Sequence, residues 1–150
     1  MTEPYPIPAG RCQAEIVVQR SRFIATADHC PTVEAAKALL GEMRRAHPDA
    51  THHVHAFAVG HGASVTHGTS DDGEPPGTAG RPTLAVVMGS GLGDVCVVTT
   101  RWFGGTKLGT GGLVRAYTEA AQAVLAALPR TMKEDKRAVT LTIPYSYYEP

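Results

Sequence analysis

The stretch from Arg101 to Gly112, R-W-F-G-G-T-K-L-G-T-G-G, places five glycines and two cations, Arg101 and Lys107, within twelve residues. It follows an apolar run, Val95 to Val98, and precedes an alanine-rich amphipathic run that starts at Leu113, so it reads as a loop joining a strand to a helix. Glycines crowded at such a junction let the N–H groups of Gly104, Gly105, Thr106, Gly109, Gly111 and Gly112 turn toward one point. The positive end of the following helix makes that point attractive to an anion. Arg101, Lys107 and, one turn into the helix, Arg115 add charge to it. Phosphate, carried either by a metabolite or by RNA, is the expected ligand. The loop matches neither G-x-x-x-x-G-K-[ST] nor G-x-G-x-x-G. The same glycines would also serve a tight crossing over a sheet, with Trp102, Phe103 and Leu108 plugging the core.

A second segment, S-D-D-G-E-P-P-G-T-A-G-R-P from Ser70 to Pro82, brings Asp71, Asp72 and Glu74 within four residues, with Thr78 just beyond. Three carboxylates so close can hold a divalent cation or do acid/base work. They can as readily organise a turn, since Asp side chains bond nearby N–H groups and Gly73 supplies a positive φ. The ligand spacing of a calcium loop is absent. In T-H-H-V-H, Thr51 to His55, strand alternation points His53 and His55 one way and His52 the other. His52 is a candidate to assist a site, or a residue resting against a carbonyl or carboxylate. A zinc site completed by Asp71 or Cys96 has no supporting spacing. Cys12 and Cys30 lack an activating neighbour, Cys96 sits among valines, and Ser70 and Thr78 lack a nucleophile elbow.

The elements that must position these residues follow from periodicity. Ala14 to Gln19 and Arg22 to Ala27 read as strands joined around Arg20-Ser21, after a proline-rich start expected to be loosely held. Val33, Ala36, Leu40 and Met43 recur at helical spacing, with Thr32 as N-cap and a stop at His47 before Pro48. Strands are expected at His53–Val59, near Ser64–His67 and at Val95–Thr100. A short helix is expected from Pro82 to Gly89, and a long one from Leu113 to Leu128. The charged run Lys133 to Arg137 reads as a linker and Ala138 to Tyr148 as a further strand. Fourteen of the sixteen glycines fall between Gly60 and Gly112, so the unusual backbone belongs to one half of the fold. One sheet with helices packed on a face, an α+β or two-layer α/β arrangement, accommodates this order.

Composition narrows the function. The chain has 150 residues, 14 Lys+Arg against 14 Asp+Glu and a pI of about 7.1, so bulk charge does not hold it to nucleic acid and any anion site must be built locally. Three cysteines without C-x-x-C spacing and an N-terminus without signal-peptide character point to a cytoplasmic protein, and no apolar run suits a membrane span.

The two loops, together with S-R-F-I-A (Ser21 to Ala25) and A-T-H-H-V-H-A-F (Ala50 to Phe57), resemble the IMPACT family, whose bacterial members are called YigZ. The likeness runs from about Ser21 to Leu128, with Trp102 where the family more usually has tyrosine. It implies a four-stranded sheet with helices on one face, similar to domain IV of elongation factor G and to the second domain of a small-subunit ribosomal protein. The implied organisation is a flexible segment over 1–13, an Impact N-terminal-like domain over 14–130, and a linker with the start of a missing or truncated ferredoxin-like domain over 131–150. The resemblance also implies a link to regulation of translation, with RNA or a ribosome-associated protein as partner, and no catalytic residues carry over. A non-enzymatic regulator that binds nucleic-acid or other phosphate through the glycine-rich loop is therefore the leading expectation. A small-molecule phosphate-ester enzyme using the acidic loop with a divalent cation, and a purely protein-interaction module, are the alternatives.

Overall fold

A computed structural model of the chain describes residues 3–134. In chain order it contains β1 (Tyr5–Pro8), β2 (Cys12–Val18), β3 (Ser21–His29), α1 (Val33–Ala46), β4 (His52–Val59), β5 (Thr66–Ser70), α2 (Gly80–Gly89), β6 (Val95–Trp102), α3 (Gly109–Ala127) and β7 (Arg130–Lys133). Five strands make one antiparallel sheet in the order β2-β3-β6-β4-β5, one strand more than the four expected. The four-stranded count comes from the family likeness; β5 itself answers to the short strand expected near Ser64–His67, displaced to Thr66–Ser70, and pairs with Val59 to His55.

β6 is the middle strand. Its odd residues Val95 and Val97 join Phe23, Ala25, Ala27, Val54 and Ala56 beneath α2 and α3, where Leu113, Tyr117, Ala120 and Val124 close the main core. Its even residues Cys96 and Val98 turn to the opposite face and meet Ala36, Leu39 and Met43 of α1. A strand covered on both sides loses the apolar/polar alternation, which is why Val95 to Val98 is an unbroken apolar run. The later helices thus share one face as expected, and α1 lies on the other. α1 begins as expected, with Thr32 Oγ1 accepting from the Ala35 N–H at 3.0 Å, and ends at Ala46.

Three expectations change. Tyr5–Pro8, in the segment expected to be loosely held, is a strand paired with β7, which takes up the start of the expected linker. Asp94 fastens this arm to the sheet: buried at 1% exposure, it accepts from Gly60 N–H at 2.8 Å, Lys133 Nζ at 2.7 Å and Tyr5 OH at 3.2 Å. Second, α3 starts at Gly109 rather than Leu113, so Gly109, Gly111 and Gly112 form its first turn. Gly109 enters the helix at φ +76°, a left-handed conformation that glycine adopts without the strain a Cβ would bring. Third, α2 starts at Gly80, two residues before Pro82. The expected Ala138–Tyr148 strand lies outside the described residues. Among the described residues no helix is long and apolar enough to cross a membrane.

Candidate functional site

Three strand ends meet at one edge of the sheet: the start of β3 at Ser21, the start of β4 at His52 and the end of β6 at Arg101. The antiparallel register sets His52 directly beside Arg101. From this edge the acidic loop rises between β5 and α2, and the glycine loop between β6 and α3. The two loops come together over the sheet end, as the pairing of their charges suggests.

The acidic loop divides its carboxylates between two tasks. Asp71 accepts from Gly77 N–H at 3.0 Å, Ala79 N–H at 3.1 Å and Gly80 N–H at 2.7 Å, so it caps α2 from outside the helix. Partial burial would raise its pKa, but these N–H groups hold it below the ordinary carboxylate range. Asp72 accepts from His53 N–H at 2.8 Å and from Arg44 Nη2 at 2.9 Å, binding the loop to β4 and α1. It too is held low despite burial, by the His53 amide and the Arg44 guanidinium. Its backbone takes φ +45°, and Gly73 follows at φ +88°, the left-handed pair that turns the chain inward. Thr78, buried at 5% exposure, donates its hydroxyl to Pro75 O at 2.6 Å and is part of the turn. Only Glu74 reaches the space between the loops. The cation-binding set expected from Asp71, Asp72 and Glu74 is therefore not assembled, because two of the three are spent on backbone N–H groups. Among the described residues no group of three His, Cys, Asp or Glu side chains is placed to hold a metal ion.

Glu74 and Arg101 form the floor. Both are nearly inaccessible, at 6% and 4% exposure. Arg101 Nη1 donates to both Glu74 oxygens, at 2.9 and 2.7 Å, and Nη2 donates to Ser21 Oγ at 3.2 Å. Tyr117 of α3 donates its hydroxyl to Glu74 Oε2. Burial and the adjacent carboxylate push the Tyr117 phenol far above its ordinary pKa, so it stays a donor. The Arg101 guanidinium also lies 5.5 and 5.7 Å from the ring centres of Phe23 and Phe103. Arg101, expected as an anion ligand, is thus neutralised by Glu74 and braces the two loops.

His52 stands at the wall. Its Nδ1 donates to the Asp72 carbonyl at 2.8 Å, and its Nε2 lies 3.4 Å from Glu74 Oε1. Both ordinary partners expected for this residue, a carbonyl and a carboxylate, are present. His53 and His55 point to the other side of the strand, as alternation requires. His53 donates from Nε2 to the His47 carbonyl at 3.1 Å and accepts at Nδ1 from the Thr100 hydroxyl at 3.2 Å. Burial lowers the pKa of both histidines. Neither meets Asp71 or Cys96 in a zinc arrangement.

The glycine loop is pinned by side chains from elsewhere. Phe103 N–H donates to Thr51 Oγ1 at 3.0 Å and Gly104 N–H to Ser21 Oγ at 3.3 Å. A Cβ on Gly104 would lie 2.2 Å from the carbonyl carbon and oxygen of Arg20, so the β2–β3 turn and the loop touch backbone to backbone. Phe103, expected to plug the core, is instead 46% exposed, because these anchors turn its side chain outward.

Between the loops lies a cavity of about 340 Å³. Of the expected residues it is lined by Arg101, Lys107, Gly109, Glu74 and His52. Gly73, Pro75, Phe103, Leu108, Thr110 and Leu113 complete the wall. Gly104, Gly105, Thr106, Gly111, Gly112 and Arg115, and from the acidic loop Asp71, Asp72 and Thr78, lie outside it. Lys107 is exposed and makes no ion pair among the described residues. The first turn of α3 has no side-chain cap. Ser21 and Tyr117 are the functional neighbours that sequence reasoning missed; Tyr117 was legible only as one of a run of core positions in α3. A larger groove of about 660 Å³ between α2 and α3 is lined mostly by small and apolar side chains such as Ala85, Val86 and Val114, with Ser90, Thr118, Gln122 and Arg130 as its polar members.

The Impact N-terminal domain family model matches residues 19–125, which include every residue lining the cavity. The IMPACT family member YigZ of Escherichia coli (strain K12) is 44% identical over 144 residues, covering 95% of this chain and 71% of that protein. A solved structure described as a hypothetical protein superposes with a TM-score of 0.86 at 45% identity, over 89% of this chain and 65% of its own. The two-domain translational regulator Yih1 superposes with a TM-score of 0.54 at 27% identity, over 85% of this chain and half of its own length.

Proposed function

Because the chain belongs to the IMPACT family, we propose that it is a regulator linked to translation which acts by binding, and that the cavity between its two loops receives a phosphate of RNA. The observation that carries this reading is the meeting of Lys107, unpaired among the described residues, with the first turn of α3, whose N-cap Leu108 offers no side-chain acceptor, at the mouth of a cavity of about 340 Å³. First-turn N–H groups and a lysine ammonium are the ordinary partners of a phosphate. Glu74 does not repel the anion, since Arg101 and Tyr117 already take up its charge. Arg115, exposed nearly two turns into α3, serves a neighbouring phosphate. The likeness to a translational regulator supports the same direction.

The test is a titration of a short, labelled single-stranded RNA followed by anisotropy at two salt concentrations. With Lys107 and Arg115 as the contributing cations, about two phosphates are neutralised. The slope of log affinity against log salt is then about −1.4, or roughly sevenfold weaker binding from 50 to 200 mM. Lys107→Ala reduces both affinity and slope. No binding at low salt would remove the proposal.

A further inference from the structure

We infer that the cavity takes a whole nucleotide, its base against Phe103 and its phosphate at Lys107, so that the protein selects single-stranded over duplex RNA. This rests on the phosphate-binding reading above and goes beyond it. A phosphate alone requires cations and N–H groups and gains nothing from apolar side chains, yet Pro75, Phe103, Leu108 and Leu113 supply four of the eleven residues lining this cavity. Its volume of about 340 Å³ falls within the range of about 300–1,000 Å³ usual for small-molecule sites. The polar floor offers little to a second anion, because the Glu74 and Arg101 charges cancel.

Phe103 is the second observation. An exposed phenylalanine on a mobile loop would fold over its neighbours. This one is held out at 46% exposure by backbone anchors on both sides, Thr51 Oγ1 at 3.0 Å from its own N–H and Ser21 Oγ at 3.3 Å from that of Gly104. The backbone contact of Gly104 with Arg20 fixes the same point. A rigid aromatic at the rim of an apolar cavity, four residues from a free lysine, is the arrangement by which proteins stack an unpaired base beside its own phosphate. With Lys107 and Arg115 as the contributing cations, counterion release is limited to about two phosphates, and base stacking supplies the remainder. In duplex RNA the bases are paired and stacked on one another, so none can enter.

The experiment compares a short single-stranded RNA with the same strand annealed to its complement, on the full chain and on Phe103→Ala, Phe103→Tyr and Lys107→Ala. The expected result is at least tenfold preference for the single strand. Phe103→Ala should lose about tenfold or more of that affinity and most of the preference, with Phe103→Tyr restoring both. Unchanged thermal midpoints establish that the variants fold. Equal affinity for single strand and duplex, weakened by Lys107→Ala but untouched by Phe103→Ala, would overturn the base slot and leave the phosphate site standing. Absence of binding to either RNA at low salt would overturn both.

Discussion

Replacing Glu74 with glutamine keeps the size of the side chain, removes its charge and turns one of its two accepting oxygens into a donor. What remains is the Arg101 guanidinium, 4% exposed, with its single anionic partner gone. Coulomb attraction within the pair opposes the cost of having removed both groups from water, so deleting one leaves that cost uncompensated. Breaking a buried pair in this way destabilises by about 3–5 kcal/mol. Exposed charges offer the contrast: Lys107→Ala should change stability by no more than about 0.5 kcal/mol. In a domain of this size each kcal/mol moves the midpoint by about 2–4 °C, so Glu74→Gln should melt roughly 6–20 °C below the parent. Urea denaturation with matched m-values is the assay, and the double variant Glu74→Leu/Arg101→Met is its control. Replacing both charges by apolar side chains should recover most of the loss, giving a large favourable coupling in the double-mutant cycle. A cost below about 1 kcal/mol for Glu74→Gln would refute the reasoning: Arg101 would then be able to find water, and its role as a brace between the loops would pass to that of a free ligand-binding cation.

Two glycines of one loop should respond in opposite senses. Gly104→Ala forces a Cβ to 2.2 Å from Arg20 backbone atoms that cannot move aside, costing about 1–3 kcal/mol. Gly111→Ala, in the first turn of α3 with Arg115 Nη1 as its only near neighbour at 3.4 Å, should raise stability by about 0.5–1 kcal/mol in the same thermal scan. Asp94→Ala should release the β1–β7 arm, seen as fast amide exchange at residues 5–8 with slower exchange retained in β6. Stability against pH should decline in two stages. Burial lowers the folded pKa values of His53 and His55, so the unfolded chain binds protons first and stability falls as pH drops below about 6.5. Asp71, Asp72 and Asp94 are likewise held low in the fold, so their contribution is complete above about pH 3.9 and is lost as pH falls through their folded values. Urea midpoints measured from pH 8 to pH 3 check both stages, and a flat profile between pH 7 and pH 5 would contradict the first.

Much of this molecule is written locally. The spacing of Val33, Ala36, Leu40 and Met43, the cap at Thr32 and the stop before Pro48 define α1 without reference to the rest of the chain. Strand alternation separates His52 from His53 and His55 in the same way. The glycine-rich and acidic loops also announce themselves, and their ordered motifs identify the family. Local pattern stops short of which loop residues face inward. Asp71, Asp72 and Glu74 are chemically alike and nearly adjacent, yet the N–H groups of α2 claim the first, those of β4 and the Arg44 side chain the second, and Arg101 the third. Those partners lie between six and 28 residues away in the chain.

Phe103 and Arg101 show the same division more sharply. Sequence alone determines that an aromatic and a cation follow a buried strand and precede five glycines. Which of the two is buried depends on Thr51, Ser21, Glu74 and Tyr117, contributed by four other parts of the chain. Hydrophobicity favours the phenylalanine inside and the arginine outside. The fold reverses that order because a buried carboxylate can compensate a buried guanidinium, while two anchored N–H groups turn the ring outward. Periodicity is a property of neighbouring residues and survives in the sequence. Charge compensation is a property of residues brought together from a distance, and only the tertiary structure decides it.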